Sequence, residues 1–258
     1  MSHEDEYHDK LITLLEVIWG EGYMAPGGPG NIAKILKGTE PQGKRILDIG
    51  SGLGGPAFEM AETHGATVVG VDLETGLVER ANQRAEAKGL ADRCTFQQVE
   101  MGPYDFPDES FDIVVSSGAL TQTEDKETVF RECYRILKPG GWISLYDWTK
   151  SDAPLSEDMY YWFKMEGLTF SLETLEKYKE RLENCGFVDV ETEDATDWYQ
   201  AEAHREIELM KGELYDQTVE VIGKGETDLR IENWRAMIVV IDSGEMRQCY
   251  CRGQKPAN

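Results

Sequence analysis

The sequence predicts an α/β protein built on a doubly wound, mostly parallel, seven-stranded sheet. Two observations carry this prediction: short apolar strands alternate with amphipathic helices between residues 44 and 148, and a glycine-rich turn directly follows the first of those strands. Strands that alternate with helices at this spacing form βαβ units, in which the strands lie parallel. A chain of 258 residues is long enough to bury the core of one such domain.

The alternating region contains five short apolar runs that are typical of buried strands. These are RILDIG (45–50), TVVGVDL (67–73), CTFQQV (94–99), FDIVVSS (111–117) and WISLYDW (142–148). Helical spacing of apolar residues predicts helices around 32–36, around 58–61, over 75–89 and from 124 to 137. The last of these helices ends at KPGG, a sequence typical of a helix stop.

Helical segments are predicted on both sides of this region. Residues 5–19 have apolar positions on one helical face, whereas five glycines and two prolines in GEGYMAPGGPG (20–30) predict a loop. Further along, the predicted elements are a helical, aromatic stretch (150–185), a strand VDVET (188–192), a mostly helical stretch (195–245) and a final edge strand QCYCRGQ (248–254). We therefore predict one domain over 1–258, made of parts 1–30, 31–149, 150–185 and 186–258.

The net charge limits the classes of partner. The 26 Lys and Arg residues against 49 Asp and Glu residues give 26 − 49 = −23, a surface that repels nucleic acid and anionic membranes and attracts cations. No apolar run is long enough for a transmembrane helix, and the N-terminus is polar and acidic. The five cysteines have neither disulfide-framework nor zinc-site spacing. We expect a cytoplasmic, reduced protein without a metal; the sequence is silent on its oligomeric state.

The chemistry is predicted at the glycine-rich turn Gly50-Ser-Gly52-Leu-Gly54. Such a turn is also compatible with a purely structural role or with dinucleotide binding. Asp72 ends the second strand, where a carboxylate can bind both hydroxyls of a ribose. The loop has no Lys or Arg to bind phosphate, and Asp48 just before it adds negative charge. A cationic nucleoside without phosphate, such as S-adenosylmethionine, fits these features.

The arrangement resembles the class I S-adenosylmethionine-dependent methyltransferases. The resemblance covers residues 44–148, through LDIGSGLGG, VVGVDL, FPDESFDIVVSS and RILKPGGWISLYD, and it identifies 31–149 as a cofactor-binding core. It implies that glycines and serines surround the methionine portion and the transferable methyl, and that the ends of the second and third strands bind the ribose and adenine. The implied cofactor residues are Tyr23, Asp48, Gly50, Ser51, Gly52, Gly54, Asp72, Leu73, Glu100, Met101, Ser116 and Ser117.

The N-terminal segment LLEVIWGEGYMAPGG (14–28) is similar to that of the phosphoethanolamine methyltransferases. This resemblance implies that 1–30 form a lid and that a Tyr–His pair serves methyl transfer. The tyrosine falls on Tyr7, but Gln122 stands in place of the histidine. The positions implied to bind the phosphobase fall on Trp148, Lys164, Leu168, Phe170 and Met237, which include one cation. A phosphomonoester requires several charge-assisted partners, so we expect a different acceptor bound by the 150–185 insert.

The replaced histidine constrains the expected reaction. Glutamine can orient an acceptor but cannot take its proton at neutral pH. Acceptors that are already nucleophilic need only to be positioned. We therefore predict N-methylation of a small non-phosphorylated amine that is oriented by Tyr7 and Gln122. Alternatives are S-methylation of a small thiol or thioether, and a protein that binds the cofactor without turnover. A protein or nucleic-acid methyltransferase ranks last, because no basic patch or recognition domain is present.

Overall fold

The computed structural model describes residues 9–100 and 102–257 and contains a mixed sheet with helices on both faces. The strands are β1 (Arg45–Ile49), β2 (Thr67–Asp72), β3 (Cys94–Gln98), β4 (Phe111–Ser117), β5 (Leu137–Lys150), β6 (Val188–Asp194) and β7 (Met246–Gln254). The helices are α1 (Asp9–Trp19), α2 (Gly28–Ile35), α3 (Gly55–Glu62), α4 (Thr75–Ala87), α5 (Lys126–Ile136), α6 (Glu157–Glu166), α7 (Leu175–Asn184), α8 (Thr196–Lys211), α9 (Tyr215–Ile222) and α10 (Lys224–Asp242).

The sheet has the order β3-β2-β1-β4-β5-β7-β6, and this confirms the predicted doubly wound, mostly parallel, seven-stranded architecture. Strands β1 to β5 run parallel, and β7 is antiparallel to both of its neighbours. The chain reverses its direction of winding at β1, which pairs with β2 on one side and β4 on the other. Ligands of such sheets bind where the carboxyl ends of the strands meet this switch point.

The prediction that residues 248–254 form an edge strand was wrong. Strand β7 lies between β5 and β6, and β6 is the edge. Gln248 and Arg252 of β7 are buried together with Cys249 and Cys251. Arg252 is accommodated because it donates to the Lys37 carbonyl (2.6 Å) and lies near the carboxylates of the β6 edge.

Three local predictions can be compared with the structure, and one of them needs correction. The loop predicted over 20–30 ends earlier, because α2 begins at Gly28. Pro29 is compatible with the first turn of a helix, where its missing N–H leaves no intrahelical bond unmade. The KPGG sequence follows the end of α5 at Ile136 but lies inside the long strand β5. The predicted helical stretch 150–185 forms two helices, α6 and α7.

A third layer of helices packs beyond the two faces of the sheet. Leu14 and Ile18 of α1, Trp162 of α6 and Trp234 of α10 belong to one buried apolar cluster. Glu206 of α8 ties this layer together, since its carboxylate accepts hydrogen bonds from Trp19 Nε1 (2.6 Å) and Trp234 Nε1 (2.9 Å). Burial raises the pKa of Glu206 to about 7, against the two indole hydrogen bonds. Among the described helices, none is long and apolar enough to cross a membrane.

Candidate active site

A cavity of about 380 Å³ opens at the carboxyl edge of β1, β2 and β4. Five stretches of chain supply most of its lining: 22–28 without Gly27, 49–52, 71–74, 117–120 and 122–125. Further lining residues are Pro56, Leu77, Val99 and Tyr104. The strand ends at the switch point thus deliver the glycine-rich turn and Asp72 to the same cavity, as the parallel topology requires.

The glycine-rich turn leaves no room for side chains. Gly50 has φ +71°, and a Cβ there would lie 2.1 Å from the Cβ of Ala119. Gly52 has φ +51°, and its Cβ would lie 2.9 Å from Met24 Sδ. Both residues line the cavity, so the backbone itself forms the wall. Gly54 is the N-cap of α3, and a Cβ there would lie 2.7 Å from Phe96 Cζ and 2.9 Å from Phe58 Cζ.

The side chain of Asp72 is held by backbone N–H groups at the cavity. Its Oδ2 accepts from Gly52 N (2.8 Å) and its Oδ1 from Glu74 N (3.0 Å). Burial raises the pKa of Asp72, whereas these N–H donors lower it. Behind the loop, burial and the charge of Asp72 raise the pKa of Asp48 to about 7. Within the described chain, Asp48 Oδ2 has no hydrogen-bond partner, and the charge of a cationic ligand would favour the ionised form of this carboxyl.

The other predicted cofactor residues occupy different positions. Tyr23, Ser51, Leu73 and Ser117 line the cavity. Ser116 is buried beneath it and donates to the Ile49 carbonyl (2.9 Å). Glu100 is exposed and is not among the lining residues, and Met101 lies outside the described residues. Binding by each of these residues stays a prediction.

Residues 22–26, here called the cover segment, line the cavity and are connected to α4 by a series of contacts, here called the relay. Arg84 of α4 forms an ion pair with Glu16 of α1. Glu16 Oε1 also accepts from Gly22 N (2.6 Å), and the Gly22 carbonyl accepts from Gly55 N (3.0 Å) at the start of α3. Sequence reasoning missed this relay, because an acid in α1 and an arginine in α4 carry no local sign that they meet.

The cavity lining is acidic as a whole, and the part of it around Gln122, here called the acceptor end, includes Glu124 and Asp125. Gln122 lines it from a 3₁₀ turn over Leu120–Gln122, whereas Tyr7, its predicted catalytic partner, lies outside the described residues. Over 9–100 and 102–257, the lining includes four carboxylic residues and no Lys, Arg or His. The four acids are Asp72, Glu74, Glu124 and Asp125. This composition favours amines and disfavours phosphate.

The residues predicted to bind substrate lie away from this lining. Trp148 stacks on Phe170 with ring centroids 5.9 Å apart, in the apolar cluster beneath the helical layer. Met237 is buried there and accepts a hydrogen bond at Sδ from Tyr199 Oη (3.4 Å). Lys164 lies exposed on α6. Their roles toward a substrate stay predictions. Among the described residues, no group of three or more His, Cys, Asp or Glu is placed to hold a metal.

The chain is similar in sequence and in structure to known methyltransferases. Residues 47–145 match a family described as a methyltransferase domain. The chain is 31% identical over 245 residues to a phosphoethanolamine N-methyltransferase of Triticum aestivum, covering 94% of this chain and 47% of the relative. It is 30% identical over 198 residues to that of Plasmodium falciparum (isolate 3D7), covering 76% and 73%. The structure of Haemonchus contortus phosphoethanolamine N-methyltransferase 2, bound to phosphomonomethylethanolamine and S-adenosylhomocysteine, matches with a TM-score of 0.91 at 28% identity, covering 98% and 59%.

The sheet order, the glycine-rich turn and the acid at the end of β2 define a class I S-adenosylmethionine-dependent methyltransferase fold. Within that class, the chain belongs to the phosphoethanolamine N-methyltransferase family. Both assignments confirm the resemblance found in the sequence. The chain spans about half the length of the wheat relative.

Proposed function

We propose that this protein transfers a methyl group from S-adenosylmethionine to the nitrogen of a small amine that carries no phosphate. The observation that supports this proposal is the composition of the cavity, which combines a glycine-rich wall with four carboxylic residues and, over the described chain, no basic side chain. Family membership supports the reaction class, and the charge of the site supports the class of acceptor.

The residues present fit the proposed methyl donor. When bound, S-adenosylmethionine supplies a methyl group activated by a sulfonium cation. Asp72 would accept hydrogen bonds from the ribose hydroxyls, and the close backbone of Gly50 and Gly52 would admit the methionine portion. Ionised Asp72 at the cavity and Asp48 behind the loop would complement a cation and oppose a phosphate-bearing nucleotide, and a bound cation would in turn favour ionisation of Asp48, whose pKa is about 7.

The charge of the cavity lining is the basis on which we assign the class of methyl acceptor. A phosphomonoester carries nearly two negative charges at neutral pH and requires arginines, lysines or several N–H donors. Glu124 and Asp125 line the acceptor end instead, and the amide oxygen of Gln122 can accept a hydrogen bond from an amine N–H. An amine bound as its ammonium form first loses a proton to solvent. The neutral nitrogen then needs only orientation beside the methyl group, because the N–CH3 bond forms as the S–CH3 bond breaks and S-adenosylhomocysteine leaves.

The experiment is a mass-spectrometric screen of acceptors at saturating S-adenosylmethionine. The panel contains sarcosine, dimethylglycine, ethanolamine, phosphoethanolamine, simple thiols and thioethers. We expect a methylated product from an unphosphorylated amine. A methylated thiol or thioether would reassign the acceptor atom, and phosphoethanolamine as the product-forming substrate would contradict the acceptor class. Cofactor binding without any product would favour a non-catalytic binding protein.

A further inference from the structure

Lys126 is a buried cation directly behind the acceptor end of the cavity. It is the first residue of α5, and its side chain is fully shielded from solvent. Lysines are almost never fully buried unless they are paired. Its Nζ donates to two backbone carbonyls, Thr123 (2.7 Å) and Ser171 (2.6 Å). The first carbonyl belongs to the cavity lining, and the second belongs to the segment that joins α6 to α7.

Two further contacts fix the same stretch of chain. Ser171 N donates to the Thr121 carbonyl (2.8 Å), which adds a backbone bond beside the lysine bridge. Asp147 of β5, itself fully buried, accepts from Thr121 N (3.1 Å) and from the hydroxyl of Tyr178. Both residues that flank Gln122 are therefore held by groups outside their own turn: Thr121 at its N–H and carbonyl, and Thr123 at its carbonyl.

The position of Lys126 is unfavourable for stability alone. A cation in the first turn of a helix opposes the helix dipole. Burial lowers the pKa of Lys126, and the charges of Asp147 and Glu173 only partly oppose this effect. A buried charge and its charged partner can often be replaced together by apolar side chains of similar volume without loss of stability. An apolar side chain could not hold the carbonyls of Thr123 and Ser171 in place, because each carbonyl needs a hydrogen-bond donor. The ammonium group of Lys126 donates one N–H to each of them.

We infer that Lys126 is a positioning residue, which clamps the Gln122 turn to the α6–α7 connection at Ser171 and so sets the acceptor end of the cavity. This inference rests on the proposed function for its kinetic consequence. The glycine-rich turn and Asp72 take no part in the clamp, because their hydrogen bonds run to β2 and to the segment after it. Loss of the clamp is therefore expected to disturb acceptor binding and to leave the cofactor side intact.

The test compares Lys126→Met with Lys255→Met. Lys255 is a suitable control because its side chain is 12% exposed and its Nζ also donates to a backbone carbonyl, that of Leu137 (2.8 Å), outside the cavity lining. For Lys126→Met we expect a rise of about tenfold in the KM for the acceptor. The Kd for S-adenosylmethionine should stay within about twofold of the wild-type value. The control should change neither quantity. Parallel changes in KM and Kd, or no change in either, would overturn the inference.

A second measurement does not depend on turnover. Amide hydrogen exchange is followed at Ser171 and Gly52, and Lys126→Met is expected to lose protection at Ser171 while Gly52 keeps it. If the wild-type protein methylates nothing in the panel, the proposed function fails, and this exchange result alone decides whether the clamp exists. Unchanged protection at Ser171 would reject the clamp. Should Lys126→Met not fold, Tyr178→Phe removes one hydroxyl donor to Asp147 and is expected to raise the acceptor KM by a smaller factor, again without changing the cofactor Kd.

Discussion

Asp72→Asn is expected to weaken the binding of S-adenosylmethionine by about two orders of magnitude. The two carboxylate oxygens of Asp72 accept from Gly52 N (2.8 Å) and Glu74 N (3.0 Å). Asparagine offers only one acceptor oxygen, so its NH₂ group must face one of these N–H donors. Losing the charge-assisted hydrogen bonds that Asp72 would accept from the two ribose hydroxyls removes roughly 3 kcal/mol of binding free energy, at about 1.5 kcal/mol each. That amount corresponds to roughly a 150-fold increase in Kd.

The stability of the variant should change less than its affinity. Losing the Gly52 bond costs about 1–3 kcal/mol, but removing the charge of Asp72 relieves its repulsion of Asp48, which contributes to raising the pKa of Asp48 to about 7. Calorimetry with S-adenosylmethionine and S-adenosylhomocysteine measures the affinities, and chemical denaturation measures the free energy of unfolding. Asp112→Asn is the control. Asp112 likewise accepts a hydrogen bond from a backbone N–H, that of Arg45 (2.9 Å), but at the amino ends of the strands, opposite the cavity. A Kd for Asp72→Asn within twofold of the wild-type value would refute the role assigned to this carboxylate.

Three further predictions concern the cofactor side of the cavity. Arg84→Met should loosen the cover segment and speed the dissociation of S-adenosylmethionine in stopped-flow measurements. Arg80→Met, which removes the exposed ion pair with Asp9, should leave the dissociation rate unchanged. Equal dissociation rates for the two variants would count against the relay. Because a cation favours ionised Asp48, whose pKa is about 7, calorimetric affinity for S-adenosylmethionine should rise severalfold between about pH 6 and pH 8. Affinity for S-adenosylhomocysteine, which lacks the sulfonium charge, should stay nearly flat, and equal slopes would exclude this coupling. Gly50→Ala should abolish calorimetric cofactor binding, since its Cβ would lie 2.1 Å from that of Ala119 at φ +71°; retained affinity in a folded variant would show that the turn can move.

Most of the fold was predictable because its signals are local. The run FDIVVSS coincides with β4, and the alternation of apolar runs with helical periods determines the parallel core. The place of β7 was not predictable in this way, because the order of strands depends on contacts between distant segments. Strand β7 lies between β5 and β6, and even its polar residues Gln248 and Arg252 are buried there.

The candidate site likewise contains some features that local sequence patterns predict and others that depend on contacts between distant residues. The glycine-rich turn and Asp72 follow adjacent parallel strands, so the sequence places them at one edge of the sheet. The Lys126–Ser171 and Arg84–Glu16 contacts join residues 45 and 68 positions apart, and neither pair leaves a pattern in its own segment. A lysine in the first turn of a helix was the one available signal for the clamp, since that position ordinarily favours acids.

The measurement that tests the account most directly is a competition among acceptors. Saturating S-adenosylmethionine is supplied with equimolar unphosphorylated amines and phosphoethanolamine, and every methylated product is identified by mass. The acidic lining of the acceptor end predicts that an unphosphorylated amine gains the methyl group and that phosphoethanolamine does not compete. Preferential methylation of phosphoethanolamine would contradict the account, because a cavity with this lining could not then be the site that binds the acceptor.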